Sequence, residues 1–399
     1  MPTMTNYSFD QAPERRGTHC VKWDEQAPWP AGATPLSGDR DLIPMWVADM
    51  DFAVAPPIHE AIARRAAHPV YGYTVVESDY YDALTSWFSR RHGWQIEPSH
   101  VVYTTGVVPA VSCALKALTL PGEKVVTLTP AYNCFFSSIA NSGCLLSASL
   151  LRSDGPGLHF TVDWDDLERR CADAKATVFL LCNPHNPTGR VWTREELERM
   201  AAICRRHGVA VVSDEIHCEL VMPGHRFVPF ATVSADAVVL NSPSKAFNIA
   251  GLQVANIVCA DSDVRRRIDR AVNINEVCDL GPFGPVALVA AYNEGGPWLD
   301  ALNDYLWDNY QALVGFFATA MPRLRVTPLE GTYLVWVDVS ALAVDSERLC
   351  EQLLRQGLWV NPGTMYGQEG FIRLNIACPR SRMMEGLRRL AAGVDACGK

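Results

Sequence analysis

The stretch ATVFLLCNPHNPTG, residues 176–189, joins seven mostly apolar residues to a turn rich in asparagine and proline. An apolar run of this length without in–out alternation is typical of a strand that is buried on both faces of a sheet. Five more such runs lie in the same half of the chain, namely VVYTT (101–105), KVVTLT (124–129), VAVVSD (209–214), AVVLNS (237–242) and ANIVCA (255–260). The sequence therefore predicts a sheet that is covered on both sides.

Helical patterns separate these runs. The clearest is TREELERMAAICRRHG, residues 193–208, in which Thr193 and Glu196 have the spacing of a capping box and Gly208 follows the last helical residue. Another helix is predicted over about 107–118. Buried strands that alternate with amphipathic helices predict an α/β fold with a mostly parallel sheet.

The pattern changes towards the C-terminus, and 399 residues exceed the usual size of one hydrophobic core. The later elements are predicted as helices at 297–320, 345–356 and 380–395, with strands at 332–340 and 371–377. Residues 13–45 are rich in proline, glycine and tryptophan and are typical of an irregular arm. We therefore expect an N-terminal arm (1–52) that contributes to the small domain, a large domain (53–290) and a small C-terminal domain (291–399).

The composition excludes several function classes. A net charge of −9 argues against nucleic-acid binding, which usually requires a basic face. Thirteen cysteines are scattered without a C-x-x-C pair, so neither a disulfide framework nor a zinc site is expected, and the thiols are predicted to be reduced. No apolar run reaches the length of a membrane span or a signal peptide. The expected location is the cytoplasm.

Polar residues follow the predicted strands at the edge where open α/β sheets bind ligands. They are Gly106 with the backbone amides of Val107 and Val108, then Tyr132, then Asn183 and Asn186, then Asp214, and finally Ser242, Ser244 and Lys245. Each alone has a plainer explanation, such as a tight turn, a packed aromatic ring or an asparagine that bonds its own turn. Together they are the set that pyridoxal phosphate requires.

In that site Lys245 is the residue that would link to the cofactor aldehyde. The chain has six lysines against 29 arginines, and Lys245 lies among serines and apolar residues that would lower the pKa of its amine. Asp214 would pair with the ring nitrogen, Tyr132 would stack on the ring, and Asn186 would donate to the phenolic oxygen. Lys245, Asp214 and Tyr132 are thus the predicted catalytic residues. The predicted phosphate ligands are the amides at 106–108 with Ser242 and Ser244.

The chain resembles the fold-type-I pyridoxal-phosphate enzymes of the aspartate aminotransferase superfamily. The motifs TG, PAY, NPHNPTG, SDE, SPSK, PGTMYG and RLN occur in that order between residues 105 and 375. The resemblance implies an aspartate aminotransferase-like fold with a mostly parallel seven-stranded sheet, and a homodimer with its active sites at the interface. It also implies that Tyr73 reaches the phosphate of the partner subunit. Arg373 would bind the substrate carboxylate, with Asn186 beside it.

Within that superfamily the chain is more similar to the MalY/PatB group of cystathionine β-lyase-type C–S lyases. The motifs of this group are RRGTHCVKWD (15–24), PMWVADMDF (44–52), SDEIH (213–217), SKAFNIAGL (244–252), GGPWLDAL (295–302) and RLNIACPRS (373–381). His217 stands where transaminases typically have a tyrosine that contacts the cofactor, and Gln253 stands where many have a phosphate-binding arginine. The phosphate is then expected to be held with less positive charge.

The resemblance implies β-elimination from L-cystathionine or another S-substituted cysteine, which gives a thiol, pyruvate and ammonia. Two alternatives stay open at this point. An aminotransferase would use the same Lys245, and a non-catalytic regulator would keep the fold to bind a protein partner. Asp49 is one candidate for the leaving-group pocket, although a structural hydrogen-bonding role explains it equally well.

Overall fold

The structure is a computed structural model that describes residues 7–28, 42–153, 155 and 157–397. Residues 1–6 and 29–41 of the predicted arm lie outside the described residues. The helices are α1 (Val21–Asp24), α2 (Pro56–Ala67), α3 (Ser78–His92), α4 (Val107–Leu118), α5 (Asn133–Asn141), α6 (Trp164–Cys171), α7 (Arg194–His207), α8 (Ser262–Ile274), α9 (Phe283–Glu294), α10 (Gly296–Ala320), α11 (Ser346–Arg355) and α12 (Arg380–Cys397). The helices predicted at 107–118, 297–320, 345–356 and 380–395 are confirmed as α4, α10, α11 and α12.

Fifteen strands complete the described part of the chain. They are β1 (Ile43–Pro44), β2 (Val101–Thr104), β3 (Lys124–Thr129), β4 (Leu145–Leu150), β5 (Arg152–Ser153), β6 (Phe160–Thr161), β7 (Ala176–Cys182), β8 (Ala210–Asp214), β9 (Val238–Asn241), β10 (Ala255–Val258), β11 (Arg325–Val326), β12 (Leu334–Asp338), β13 (Leu358–Trp359), β14 (Asn361–Pro362) and β15 (Phe371–Asn375). All six strands predicted between 101 and 260 are confirmed.

The main sheet has seven strands in the order β2-β10-β9-β8-β7-β3-β4. Only β10 runs antiparallel to its neighbours, so the sheet is mostly parallel, as expected. The edge strand β4 has no counterpart among the apolar runs of the sequence. Its burial alternates, with Leu145, Leu146 and Leu150 exposed and Ser147 and Ser149 buried, so its sequence does not show the pattern of a strand buried on both faces.

A second, antiparallel sheet has the order β11-β12-β15-β14 and lies in the C-terminal part of the chain. The arm joins this part through β1, which pairs in parallel with β13 and places Ile43 opposite Leu358. These pairings agree with an arm that completes a C-terminal unit. The residue boundaries of the three predicted domains stay a prediction.

Local signals in the sequence explain how individual helices begin and end. Helix α7 starts with the predicted capping box, in which the Thr193 hydroxyl accepts from the Glu196 amide and the Glu196 carboxylate accepts from the Thr193 amide. The helix ends at Gly208, whose φ of +68° is the left-handed conformation that glycine adopts without strain. All thirteen cysteines are free thiols in the structure. None of the helices that the structure describes is long and apolar enough to cross a membrane.

Candidate active site

A cavity of about 270 Å³ lies at the carboxyl ends of the parallel strands. Most of the predicted site residues line it, namely Gly106, Val107, Val108, Tyr132, Asn186, Asp214, His217, Ser244 and Lys245. Gln253 also lines it, together with Ala48 from the arm and Cys182 from the end of β7. The parallel sheet therefore gathers residues from five strand ends around one space.

Three predicted residues do not line this cavity. Ser242 is buried behind it, where its hydroxyl donates to Val254 O at 2.6 Å and accepts from the Ser244 amide at 3.1 Å. Arg373 is buried beside it and reaches it through Asn186. Tyr73 is 99% exposed. Within one chain, Ser242 thus organises the loop before Lys245, and Tyr73 contributes nothing to the cavity.

Lys245 projects from the loop after β9, a loop that is folded back on itself by backbone bonds from Phe247 to Pro243 O and from Ile249 to Ser244 O. Its Nζ donates to Ala48 O at 2.7 Å. Burial lowers the pKa of this amine, an effect that the nearby Arg373 reinforces and that the carboxylate of Asp49 opposes. A lysine with a lowered pKa is a better nucleophile and base near neutral pH.

Asp214 is the last residue of β8 and is buried. Burial raises the pKa of its carboxyl to about 7, against the effects of a hydrogen bond from the Ile216 amide (3.1 Å to Oδ1) and of the charge on Lys245. A buried carboxylate needs a cationic partner to stay ionised. A protonated pyridine nitrogen at this position would be such a partner, so Asp214 fits the ring of pyridoxal phosphate.

His217 lies three residues beyond Asp214 and is buried, and its Nδ1 has no hydrogen-bond partner. Burial lowers the pKa of the imidazole to about 3, with the charges of Lys245 and Arg373 acting in the same direction, so the ring is neutral. An unpartnered buried nitrogen in a cavity wall marks a place where a ligand can bond. The polar atoms that surround the cavity therefore fit a polar cofactor better than an apolar ligand.

Arg373 and Asn186 form one unit. The guanidinium donates to Asn186 Oδ1 at 3.1 Å and to Trp46 O at 2.7 Å, and it stacks 4.7 Å above the ring of Tyr366. Its Nε is buried without a partner. Because Arg373 bonds the oxygen of Asn186, the amide NH₂ of Asn186 is directed elsewhere and can donate to a ligand.

The end of the cavity that is predicted to bind the phosphate lies at the N-terminus of α4. Gly106 precedes this helix, and the amides of Val107 and Val108 are among those that no turn of the helix uses. Ser244 and Gln253 line the same cavity, whereas none of the arginines in the described ranges does. The residues present therefore fit a phosphate that is held by amides and neutral side chains.

Residues 46–52, which we name the strap, run past the cavity from the arm. Side chains hold nearly all of its carbonyl groups: Trp46 O accepts from Asn361 and Arg373, Val47 O and Asp49 O from Asn375, Ala48 O from Lys245 and Tyr333, and Met50 O and Phe52 O from Asn248. A segment without regular secondary structure is thereby fixed in one conformation.

Charged residues of the motif RRGTHCVKWD fix the strap from its other side. Arg15 binds Asp49 through both carboxylate oxygens, at 3.2 and 2.6 Å, and also binds the buried Asp51 at 2.8 Å. Lys22, itself buried, lies 3.1 Å from Asp51, and Arg382 lies 2.9 Å from it. Since both oxygens of Asp49 are engaged in this way, the structure favours the structural role for Asp49 over a place in the leaving-group pocket.

Among the residues of this site that were not predicted from the sequence are Ala48 and Tyr333. Ala48 acts through its backbone carbonyl, which no side-chain pattern can indicate. Tyr333 precedes β12 in the stretch TYLVWVDVS and looks there like an ordinary strand residue. The hydrogen bond from Tyr333 to Ala48 joins residues that are 285 positions apart. No local sequence pattern can therefore indicate it.

A separate cluster brings His92, Cys218 and Glu219 together, with their potential ligand atoms within 4.8 Å of one another. Glu219 already accepts from His92 and from Trp87 Nε1, each at 2.7 Å, and its other oxygen lies 3.8 Å from Arg91. These contacts involve both oxygens of the carboxylate. The cluster joins α3 to the segment that follows Asp214.

The family model described as aminotransferase class I and II matches residues 40–390. The chain belongs to this family. Among its relatives in the family are cystathionine beta-lyase PatB of Bacillus subtilis (40% identical, covering 97% of this chain and 100% of the relative) and protein MalY of Escherichia coli (36%, covering 98% and 99%). These matches confirm the resemblance to the MalY/PatB group.

The fold is shared with solved structures of the same family. Cystalysin from Treponema denticola, whose crystal structure contains pyridoxal 5'-phosphate, superimposes with a TM-score of 0.92 at 31% identity and covers 98% of this chain and 99% of its own. The expected α/β, aspartate aminotransferase-like fold class is therefore confirmed.

Proposed function

We propose that this chain is a pyridoxal-phosphate-dependent carbon–sulfur lyase that eliminates the thiol from L-cystathionine or another S-substituted cysteine. The products are the thiol, pyruvate and ammonia, and one water is consumed. The observation that carries the proposal is the convergence of Lys245, Asp214 and the Asn186–Arg373 unit on one cavity, in a chain that is 40% identical to a cystathionine beta-lyase over nearly its whole length.

Pyridoxal phosphate, when bound, supplies an aldehyde carbon for the substrate amine and a ring that accepts the electrons released at the substrate Cα. The chain's own residues hold it at both ends. Asp214 would face the ring nitrogen and keep it protonated. Tyr132 would lie on the ring, and the Asn186 amide would donate to the ring oxygen. The amides of Val107 and Val108, with Ser244, would bind the phosphate.

Arg373 would bind the substrate α-carboxylate and fix the orientation of Cα. Its unpartnered Nε and its fork geometry suit a bidentate contact with a carboxylate. Lys245 would then take the proton from Cα and return it to the departing sulfur, which leaves as the thiol. The lowered pKa of its amine makes Lys245 competent as a base near neutral pH.

The decisive experiment is incubation of the cofactor-loaded protein with L-cystathionine and measurement of pyruvate. We expect pyruvate, ammonia and homocysteine in equal amounts without an added keto acid. An aminotransferase would instead need a keto-acid acceptor and would form a new amino acid in proportion. Stoichiometric amino transfer without pyruvate would overturn the proposal. A protein that does not take up pyridoxal phosphate would point to the non-catalytic regulator.

We also infer that the active protein is a homodimer with shared sites. The 99% exposed Tyr73 lies beside other exposed apolar side chains, Val70, Tyr71 and Val75. Several exposed apolar side chains within one short segment are typical of a protein interface. The same segment reaching the neighbouring subunit would place the Tyr73 hydroxyl on its phosphate, in a cavity that is lined by no arginine of the part of the chain that the structure describes.

Mixing two impaired variants tests the shared site. At a limiting concentration of pyridoxal phosphate, Tyr73→Ala is expected to have little activity because it should bind the cofactor about tenfold more weakly, and Lys245→Ala is expected to have none. After denaturation and refolding together, a mixed dimer contains one site with both Lys245 and Tyr73, so about a quarter of the wild-type activity should return for equal amounts of the two chains. If the mixture is no more active than the sum of its parts, each site is built from one chain.

The cytoplasm is the proposed location. Thirteen unpaired cysteines, eight of them buried, support it because disulfides form in oxidising compartments and are rare in the cytosol.

A further inference from the structure

The Ala48 carbonyl is the group of the strap that accepts a hydrogen bond from Lys245. It accepts a second hydrogen bond from Tyr333. Lys245 Nζ lies 2.7 Å from Ala48 O, and the Tyr333 hydroxyl lies 2.9 Å from the same atom. A carbonyl oxygen has two lone pairs, so both donors can bond at once. Ala48 and Lys245 line the cavity, whereas Tyr333 is fully buried behind it.

The backbone around Tyr333 is clamped on both sides, which fixes the direction of its side chain. The Gly331 amide donates to Gly189 O at 2.9 Å, and the Thr332 amide donates to Leu220 O at 2.7 Å. A Cβ on Gly331 would lie 2.8 Å from Val191 Cγ2 and 3.0 Å from Leu220 O, so only glycine allows this close approach. The turn is thereby held between the NPHNPTG motif and the segment that follows His217.

The ring of Tyr333 is equally fixed. It packs edge-on against the His217 ring at 6.2 Å with an interplanar angle of 80°. Burial raises the pKa of the phenol, so Tyr333 stays protonated and acts as a donor. A buried tyrosine hydroxyl usually has one dedicated partner, and here that partner is Ala48 O.

We propose that Tyr333 is a positioning residue for Lys245, which it holds in place through the Ala48 carbonyl. The proposal rests on the proposed function, because it gives Lys245 its task. Tyr333 fixes the direction of the carbonyl, and the carbonyl takes one N–H of the lysine. With that N–H directed at the strap, the lone pair of the neutral amine points away from the strap and into the cavity, where the reacting carbon would lie.

Tyr333 also limits how strongly Ala48 O binds the charged form of the lysine. A hydrogen bond to the charged form of a group stabilises that form. Without the phenol both lone pairs are left to the ammonium of Lys245, and its pKa rises. The neutral amine then becomes scarcer near neutral pH and is held less firmly in direction.

The test compares Tyr333→Phe with Tyr310→Phe. The Tyr310 hydroxyl also donates to a backbone carbonyl from a buried position, to Thr327 O at 2.9 Å, but away from the cavity. In cofactor-free protein, the rate of Lys245 acetylation by acetic anhydride is followed against pH by mass spectrometry, with exposed Lys175 as internal reference. We expect an apparent pKa of Lys245 that is higher by about 0.5–1 unit in Tyr333→Phe. It should be unchanged in Tyr310→Phe.

The loaded enzyme gives the second readout. For Tyr333→Phe we expect kcat to fall about tenfold with KM nearly constant, since the residue does not line the cavity. An unchanged labelling profile would overturn the proposal, even if kcat and the melting temperature fall together, because that combination is a purely structural effect. If the wild type forms no pyruvate from any S-substituted cysteine, the proposed function is wrong, while the labelling profile still decides whether Tyr333 positions Lys245.

Discussion

Replacing Lys245 with alanine is expected to lower pyruvate formation from L-cystathionine by at least about 10³-fold. The side chain is the only amine that lines the cavity among the described residues, and the structure directs it there from a closed loop. Its loss would remove both the proposed attachment point of the cofactor and the proposed base that takes the Cα proton. The measurement is a coupled pyruvate assay together with the absorbance spectrum of the purified protein, in which the visible band of a lysine-linked cofactor should be absent.

Lys245→Arg sharpens this test, because it keeps the charge and most of the length. A guanidinium stays protonated at every accessible pH and is a poor nucleophile and base, so this variant should be as inactive as the alanine variant. Lys175→Ala, at an exposed position, is the control and should keep full activity. If Lys245→Ala turns over substrate at more than a tenth of the wild-type rate, Lys245 is not the catalytic lysine.

The second large effect is expected from Asp214→Asn, with a fall in kcat of about 10²–10³-fold. The amide keeps the shape of the carboxylate and can accept the hydrogen bond from Ile216, but it carries no charge to hold the ring nitrogen protonated. Asp269→Asn, at an exposed position on α8, is the matched control and should behave as the wild type. A wild-type kcat in Asp214→Asn would contradict the proposed partner of the ring.

The same pair of variants has a pH signature in the cofactor-free protein. The pKa of Asp214 is about 7 in the fold and near 3.8 in an unfolded chain, so the folded state binds the extra proton between these values. The stability from this group is full below about pH 4 and is lost as the pH rises through 7. The free energy of unfolding of Asp214→Asn, relative to wild type, should therefore increase over this range, by up to about 4 kcal/mol. Urea titrations at several pH values measure it, and a difference that is constant with pH would refute the raised pKa.

Much of this site could be predicted because a parallel sheet brings consecutive strand ends to one edge. Once ATVFLLC and its neighbours are recognised as buried strands, Tyr132, Asn186, Asp214 and Lys245 must lie close together, whatever the loops do. These are local inferences that use a strand, including its last residue, and the few residues after it. The edge strand β4 was not predicted, because an alternating, half-exposed strand lacks the continuous apolar run of a strand that is buried on both faces.

The rest depends on contacts that no local pattern contains. The role of Ser242 inside its own loop follows from the position of Val254, and the bond of Tyr333 to Ala48 follows from the packing of the C-terminal sheet on the arm. The proposed place of Tyr73 depends on contacts with a second copy of the chain. The pairing of Asp49 with Arg15 needed the path of the strap, since the two residues are 34 positions apart in a region without long regular elements.

The strap has a consequence for the order of events during synthesis of the chain. Its carbonyl groups bond to side chains of the later chain that lie between 196 and 328 residues further on, and the last of these, Asn375, belongs to β15 of the C-terminal sheet. Contacts of such long range form slowly and cannot form at all on a half-made chain. The strands of the main sheet are therefore synthesised before the strap can be fixed, and the wall of the cavity that Ala48 forms is expected to be completed late in folding.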